Sequence, residues 1–187
     1  MNAIILAAGY GTRLKPITDK TPKCLVKIQD KVLLNLWLEK LSLIGVNEIL
    51  INTHYLADQV ESFVKNSKFS KEIKIVREKR LLGTAGTLNQ NIDFFGNEDG
   101  MLLHADNYCV EDLSSLMNAH KSRPKECLMT MLTFKSSNPS YCGIVSLNDE
   151  GIVIDFNEKK KGDFGNIANG AIYILSKDLI KIIKKDY

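Results

Sequence analysis

The feature that most constrains this chain is the way its first apolar run ends. Asn2-Ala3-Ile4-Ile5-Leu6-Ala7 opens the sequence and runs directly into Ala8-Gly9-Tyr10-Gly11-Thr12-Arg13. A short apolar run closed by glycine predicts a strand buried on both faces, as in a parallel sheet. The loop after it is too rich in glycine for a helix. Gly9 and Gly11 let backbone N–H groups turn inward and approach an anion with no Cβ in the way. Arg13 adds a planar donor fork suited to phosphate oxygens, and Lys23 adds a mobile point charge. Pro16 and Pro22 stiffen the segment between the two cations. Met1 to Lys27 therefore predicts a cradle for a polyphosphate.

Two common phosphate loops do not fit. No Gly-Lys-Ser/Thr follows the strand, which excludes a Walker-type P-loop, and Leu14 stands where a dinucleotide fingerprint needs its third glycine. The pattern G-x-G-T-R-L-x-P-[LI]-T-x-x-x-P-K-x-L does fit, unbroken from Gly9 to Leu25. A plain glycine turn would account for Gly9 and Gly11, but not for Thr12, Arg13, Pro22 and Lys23 at these spacings. The stretch resembles the signature of the sugar-phosphate nucleotidyltransferases, or nucleotide-sugar pyrophosphorylases.

Beyond this loop the chain alternates. Helices are predicted over Leu33 to Gly45, Ala57 to Asn66, Thr84 to Asn91 and Leu113 to His120, with strands at 48–53, 73–76 and 101–105 between them. Such β-α-β-α order implies a parallel sheet with right-handed crossovers and helices on both faces. After Pro124 the texture turns to strands and hairpins: 127–134, 142–147, 152–156 and 168–175, then a helix from Lys177. We read 1–187 as a single α/β domain, Rossmann-like and three-layered α/β/α, with a mixed, mostly parallel central sheet. Residues 1–123 form a nucleotide-binding half and 124–187 a sugar-phosphate-binding half on the same sheet, with the family's usual C-terminal part cut short.

Composition agrees. With 187 residues, 44% of them hydrophobic, the chain can bury one sizeable core. A net charge of +3, spread along the chain, does not suggest nucleic acid. There is neither an apolar run long enough for a membrane span nor a basic signal-peptide head. Cys24, Cys109, Cys127 and Cys142 show no metal-ligand spacing, and reduced cytoplasmic thiols are expected. Packing is the expected role of Cys24, although its neighbour Lys23 could lower its pKa. His54, His104 and His120 are scattered and suggest no catalytic arrangement.

Asp106 ends the apolar run Met101-Leu102-Leu103-His104-Ala105. A carboxylate there needs a partner, and Mg²⁺ on nucleotide phosphates would supply one. Leu82-Gly83-Thr84-Ala85-Gly86-Thr87 predicts a loop leading into a helix N-capped by Thr84. The family resemblance adds roles. It implies that Leu6, Ala7, Ala8, Gly9, Gly11, Thr12, Gly83, Thr84 and Ala85 bind the nucleotide and that Asp106 holds the metal. It also makes Gly143, Glu158, Lys159, Asn169 and Gly170 sugar-facing, with Lys159 on the sugar phosphate. L-G-T-A-G is similar to the guanylyltransferase branch, so GTP is favoured, although pyrimidine-specific members carry similar loops.

The implied reaction is attack of a hexose or heptose 1-phosphate oxygen on the α-phosphorus of an NTP, releasing pyrophosphate. It needs positioning and charge neutralisation by Arg13, Lys23 and Asp106, with no protein nucleophile. The expected partners are an NTP and a sugar 1-phosphate, and self-association stays open. No second acidic metal ligand is found after Asn169, and that keeps a non-catalytic nucleotide-binding homologue in view. A cytidylyltransferase acting on phosphocholine, or on a similar small phosphorylated alcohol, is the other alternative.

Overall fold

The computed structural model of the chain describes residues 1–158, 162 and 164–186. The elements follow in order: β1 (Asn2–Leu6), β2 (Lys27–Ile28), β3 (Lys31–Val32), α1 (Leu33–Leu43), β4 (Ile49–Thr53), α2 (Ala57–Lys65), β5 (Ile73–Arg77) and α3 (Gly83–Gln90). They continue with β6 (Gly100–His104), α4 (Leu113–Ser122), β7 (Met129–Lys135), β8 (Gly143–Leu147), β9 (Val153–Glu158), β10 (Ile167–Leu175) and α5 (Lys177–Asp186). Every predicted strand and helix is present, its ends displaced by no more than one or two residues. The small hairpin β2–β3 was not predicted. Nor were the single 3₁₀ turns Thr12–Leu14, Ile17–Asp19 and Lys23–Leu25 that carry the signature loop. Glycine and proline recur too closely there for anything longer than one turn.

An eight-stranded sheet has the order β5-β4-β1-β6-β10-β8-β9, with β7 also paired to β10. Strands β5, β4, β1 and β6 are mutually parallel. β10 runs antiparallel to β6 and joins the second half of the chain to the first. The expected α/β architecture, Rossmann-like with a mixed and mostly parallel core, is therefore present.

Side chains alternate across the strands and so define the layers. Ala3, Ile5, Ile49, Ile51, Met101 and Leu103 pack with Trp37, Leu38 and Leu41 of α1, Val60 and Val64 of α2, and Leu113 and Leu116 of α4. Their neighbours Ile4, Leu50 and Leu102 point to the other face, onto Ile92, Phe95 and Ile180 of α5. Both faces of β1, β4 and β6 are dry, so each fully buried Ile or Leu contributes roughly 1.5–3 kcal/mol. The dry centre of the sheet leaves polar work to the loops at its carboxyl edge, where ligands of such sheets bind.

Candidate active site

Two clefts meet at that edge. The narrower, about 330 Å³, is lined by the ends of β1 and β6 and by the glycine loop, Lys23, Asn52, Glu78 and the start of α3. The wider, about 1230 Å³, lies over β8, β9 and β10. Arg13, Thr84, His104 and Asp106 line both, and so mark the seam.

The glycine loop is held from below. Gly11 has φ +64°, and a Cβ there would come 2.8 Å from Thr18 Cγ2, so no other residue fits without displacement. The Thr18 hydroxyl donates to the Gly11 carbonyl at 2.8 Å. This leaves Leu6, Ala7, Ala8, Gly9, Gly11, Thr12 and Arg13 along one wall of the narrow cleft, with Gly83 and Thr84 opposite. Ala85, expected beside them, is exposed and does not line it. The reason is one residue of register. α3 begins at Gly83 after Leu82, with no side chain capping its first turn, so Thr84 is not its N-cap. The Thr84 hydroxyl instead faces His104 Nε2 at 3.4 Å.

The back of this cleft holds a network that the sequence reading missed. Asn52 Oδ1 accepts from the Ala7 N–H at 2.7 Å, and Asn52 Nδ2 donates to Glu78 Oε1 at 2.9 Å. The Thr87 hydroxyl donates to the same oxygen, and the Leu82 N–H donates to Glu78 Oε2 at 3.2 Å. Glu78 is only 6% exposed, yet its charge is met by three donors, as a buried carboxylate requires. A polar side chain at a strand end, as Asn52 is on β4, was the only signal available.

At the seam Lys23 Nζ pairs with Asp106 Oδ2. The partner expected for Asp106 was a metal ion; in the folded chain a lysine 83 residues away already serves. His104 Nδ1 lies 4.0 Å from Asp106 Oδ1, so one of the supposedly scattered histidines belongs to the site. Burial, and to a lesser degree the Lys23 charge, pushes the His104 pKa down against the pull of Asp106. His54 and His120 stand outside both clefts. Next to Lys23, Cys24 is 2% exposed, and burial pushes its thiol up to about 12, so its role is packing.

The wide cleft contains Gly143, Glu158, Asn169 and Gly170. Gly143 pairs with Glu158 across β8–β9, and a Cβ there would come 2.5 Å from Glu158 Oε2. Asn169 and Gly170 sit within β10 at a bulge. The bulge places Ala171 at φ +53°, a strained conformation for a residue with a Cβ. Asn169 supports it by accepting from the Ala171 N–H at 2.8 Å and donating to the Tyr173 hydroxyl at 2.6 Å. Asn107 Nδ2 donates to the Gly170 carbonyl at 2.7 Å, and Trp37 Nε1 to the Asn107 carbonyl at 2.9 Å. Lys159 lies outside the described residues.

Asp106 is a partly exposed hard-oxygen donor at the seam, which suits Mg²⁺, an ion usually held by one or two carboxylates together with substrate phosphates. Among the described residues no group of three or more His, Cys, Asp or Glu gathers as a metal cluster. Also among them, no helix is long and apolar enough to cross a membrane.

A parallel sheet thus ends in a glycine-Arg-Lys cradle beside a second cleft on antiparallel strands. The chain belongs to the nucleotidyl transferase family, whose model matches residues 2–187. It is 34% identical over 180 residues to the D-glycero-alpha-D-manno-heptose 1-phosphate guanylyltransferase of Campylobacter jejuni, covering 96% of this chain and 77% of that protein. It is 33% identical over 186 residues to the mannose-1-phosphate guanylyltransferase catalytic subunit beta of Drosophila melanogaster, covering 97% of this chain and 50% of the relative. Thus the chain spans about half the length of several curated relatives it matches. The solved structure of HddC from Yersinia pseudotuberculosis complexed with GMP-PN superposes with a TM-score of 0.78 at 27% identity, covering 100% of this chain and 79% of that one.

Proposed function

We propose that this chain condenses GTP with a hexose or heptose 1-phosphate, giving a GDP-sugar and pyrophosphate. The observation that carries this reading is the meeting of two clefts at Arg13, Thr84, His104 and Asp106. One cleft suits a nucleotide, the other a polar ring, and the seam is where their phosphates would meet. The guanylyltransferase names of the relatives at 33–34% identity support both substrates.

In this reading Arg13 and the glycine-loop N–H groups bind the β- and γ-phosphates and take up the charge that develops on the leaving pyrophosphate. Lys23, held by Asp106, steadies the α-phosphate. Lys159 grips the sugar phosphate, and Gly143, Glu158, Asn169 and Gly170 hold the ring. An oxygen of the sugar phosphate forms a bond to the α-phosphorus as the α–β bridging bond breaks and its electron pair leaves with pyrophosphate. No protein nucleophile is consumed, so orientation and charge supply the rate. Asp106 would hold Mg²⁺, which neutralises phosphate charge when bound. Among the described residues Glu78 Oε2 takes only the Leu82 N–H, and its remaining acceptor position favours guanine, which offers adjacent N1–H and N2–H donors. Cytosine would set a bare ring nitrogen beside its amino group there. The four free cysteines fit a reducing, cytoplasmic setting.

The test is pyrophosphate release from each of GTP, CTP, UTP, dTTP and ATP with Mg²⁺, paired with mannose 1-phosphate, a heptose 1-phosphate or phosphocholine. Release with GTP and a sugar 1-phosphate is expected. Release only with CTP and phosphocholine would replace this reading by a cytidylyltransferase. Nucleotide binding without release under any pairing would make the chain a sensor.

A further inference from the structure

The residues that end β4 do more than close a strand. Asn52 bridges the Ala7 N–H and Glu78, while the next histidine reaches the same two loops from outside the cleft. His54 Nδ1 lies 2.9 Å from the main-chain carbonyl of Glu78, and Nε2 lies 3.3 Å from the hydroxyl of Tyr10, the residue between Gly9 and Gly11. A carbonyl can only accept, so in the neutral ring Nδ1 carries the proton and Nε2 accepts from Tyr10. Tyr10 also packs edge-on to His54, with ring centroids 5.8 Å apart, and tilted against Tyr55 at 5.4 Å. Tyr55 in turn donates to the Thr18 carbonyl at 2.9 Å, beneath the same loop. Tyr10 is 48% exposed, so burial does not explain these contacts.

We propose that His54 is a positioning residue that clamps the phosphate loop, through Tyr10, to the wall of the base pocket, through the Glu78 main chain. The proposal rests on the nucleotide reading above. Its consequence lies in the coupling of two subsites. A nucleoside triphosphate must span both, and it gains from having them at a set separation before it arrives. Neither half of the ligand alone draws on that separation. His54 therefore acts on GTP as a whole and leaves the contacts of each half intact.

The experiment compares the affinities of GTP, GMP and pyrophosphate, with Mg²⁺, by titration calorimetry on the unmodified chain, Tyr10→Phe, His54→Ala and the double variant. We expect about a threefold to tenfold loss for GTP in either single variant, the range of one net hydrogen bond. The double variant should lose no more than the larger single one, since both break one link. GMP and pyrophosphate should bind all four proteins alike. Equal weakening of GTP and both fragments, in Tyr10→Phe as in His54→Ala, would overturn the clamp and reduce His54 to a structural residue. Unchanged GTP affinity in both variants would also overturn it while the nucleotide reading stands. An unmodified chain that binds no nucleotide would overturn that reading, and the clamp with it.

Discussion

The two clefts are built on opposite halves of one sheet, and they are built differently. The narrow cleft rests on parallel strands, of which β4 is buried on both faces without exception and β1 and β6 nearly so. Its polar groups are interlocked: Asn52, Glu78 and Thr87 satisfy one another within hydrogen-bond reach. The wide cleft is nearly four times the volume and rests on antiparallel strands that include an edge. On that edge strand, β9, Val153, Ile154, Asp155 and Phe156 are exposed. Its irregularity is a bulge at Asn169–Tyr173 holding one residue in left-handed backbone. A dry parallel core tolerates little change because each strand packs twice. An antiparallel edge packs once and can be re-cut. A transferase that keeps one nucleotide and varies its acceptor would place its two sites in this way.

The largest effect that could break this comparison is expected at the seam. Arg13→Ala should lower kcat for pyrophosphate release by about 10²–10³-fold, the scale of one lost transition-state donor, with the melting temperature unchanged because Arg13 is exposed. Unaltered kinetics would remove it from the phosphate cradle. Next, Glu78→Gln replaces an acceptor by a mixed group inside a network that already places two donors on Oε1 and one on Oε2. It should cut kcat/KM for GTP by about 10–100-fold, or 1–3 kcal/mol, and narrow the preference for GTP over CTP. An equal fall for both nucleotides would make Glu78 structural.

Gly143→Ala probes the other half. The new Cβ meets Glu158 Oε2, so KM for the sugar 1-phosphate should rise by about tenfold while GTP affinity stays, an effect of about 1.4 kcal/mol. A matching loss of GTP binding would mean that the clefts are not separable. The smallest effect concerns the join between the halves. His120 of α4 is buried, with Nδ1 2.8 Å from Thr130 Oγ1 on β7 and Nε2 3.3 Å from Asp99 Oδ2. Burial first, then Arg123, pushes its pKa below the ordinary 6.5, despite Asp99. Because the unfolded chain binds this proton more readily, stability due to neutral His120 is present above pH 6.5 and is lost as pH falls through the lower folded pKa. Denaturation midpoints from pH 8 to about 5 should fall in the native chain and fall less in His120→Gln. Identical slopes would exclude His120 as the cause.

Much of this was legible in the residues. Alternating apolar runs and amphipathic stretches set out the strands and helices of the described residues apart from the β2–β3 hairpin, whose two-residue strands carry no period to read. The signature loop marked Gly9, Gly11, Arg13 and Lys23, and the strand end at Ala105-Asp106 marked the seam. Local chemistry decides these features: a glycine that must turn, a charge that must not be buried alone, a side chain that must face inward.

Only the folded chain could decide the rest. The Lys23–Asp106 pair, the approach of Thr84 to His104, and the Asn52–Glu78–Thr87 network join residues that nothing local relates. β1 lies between β4 and β6, so the loops after β1, β4, β5 and β6 gather at one edge, and that strand order is a property of crossover connections. The start of α3 depended on one residue of register, which decided that Thr84 faces His104 and that Ala85 faces away. Hydrophobic period and turn chemistry act over a few residues and specify the elements. Which polar side chains end up sharing a buried charge is a question of three-dimensional neighbours, and packing alone answers it.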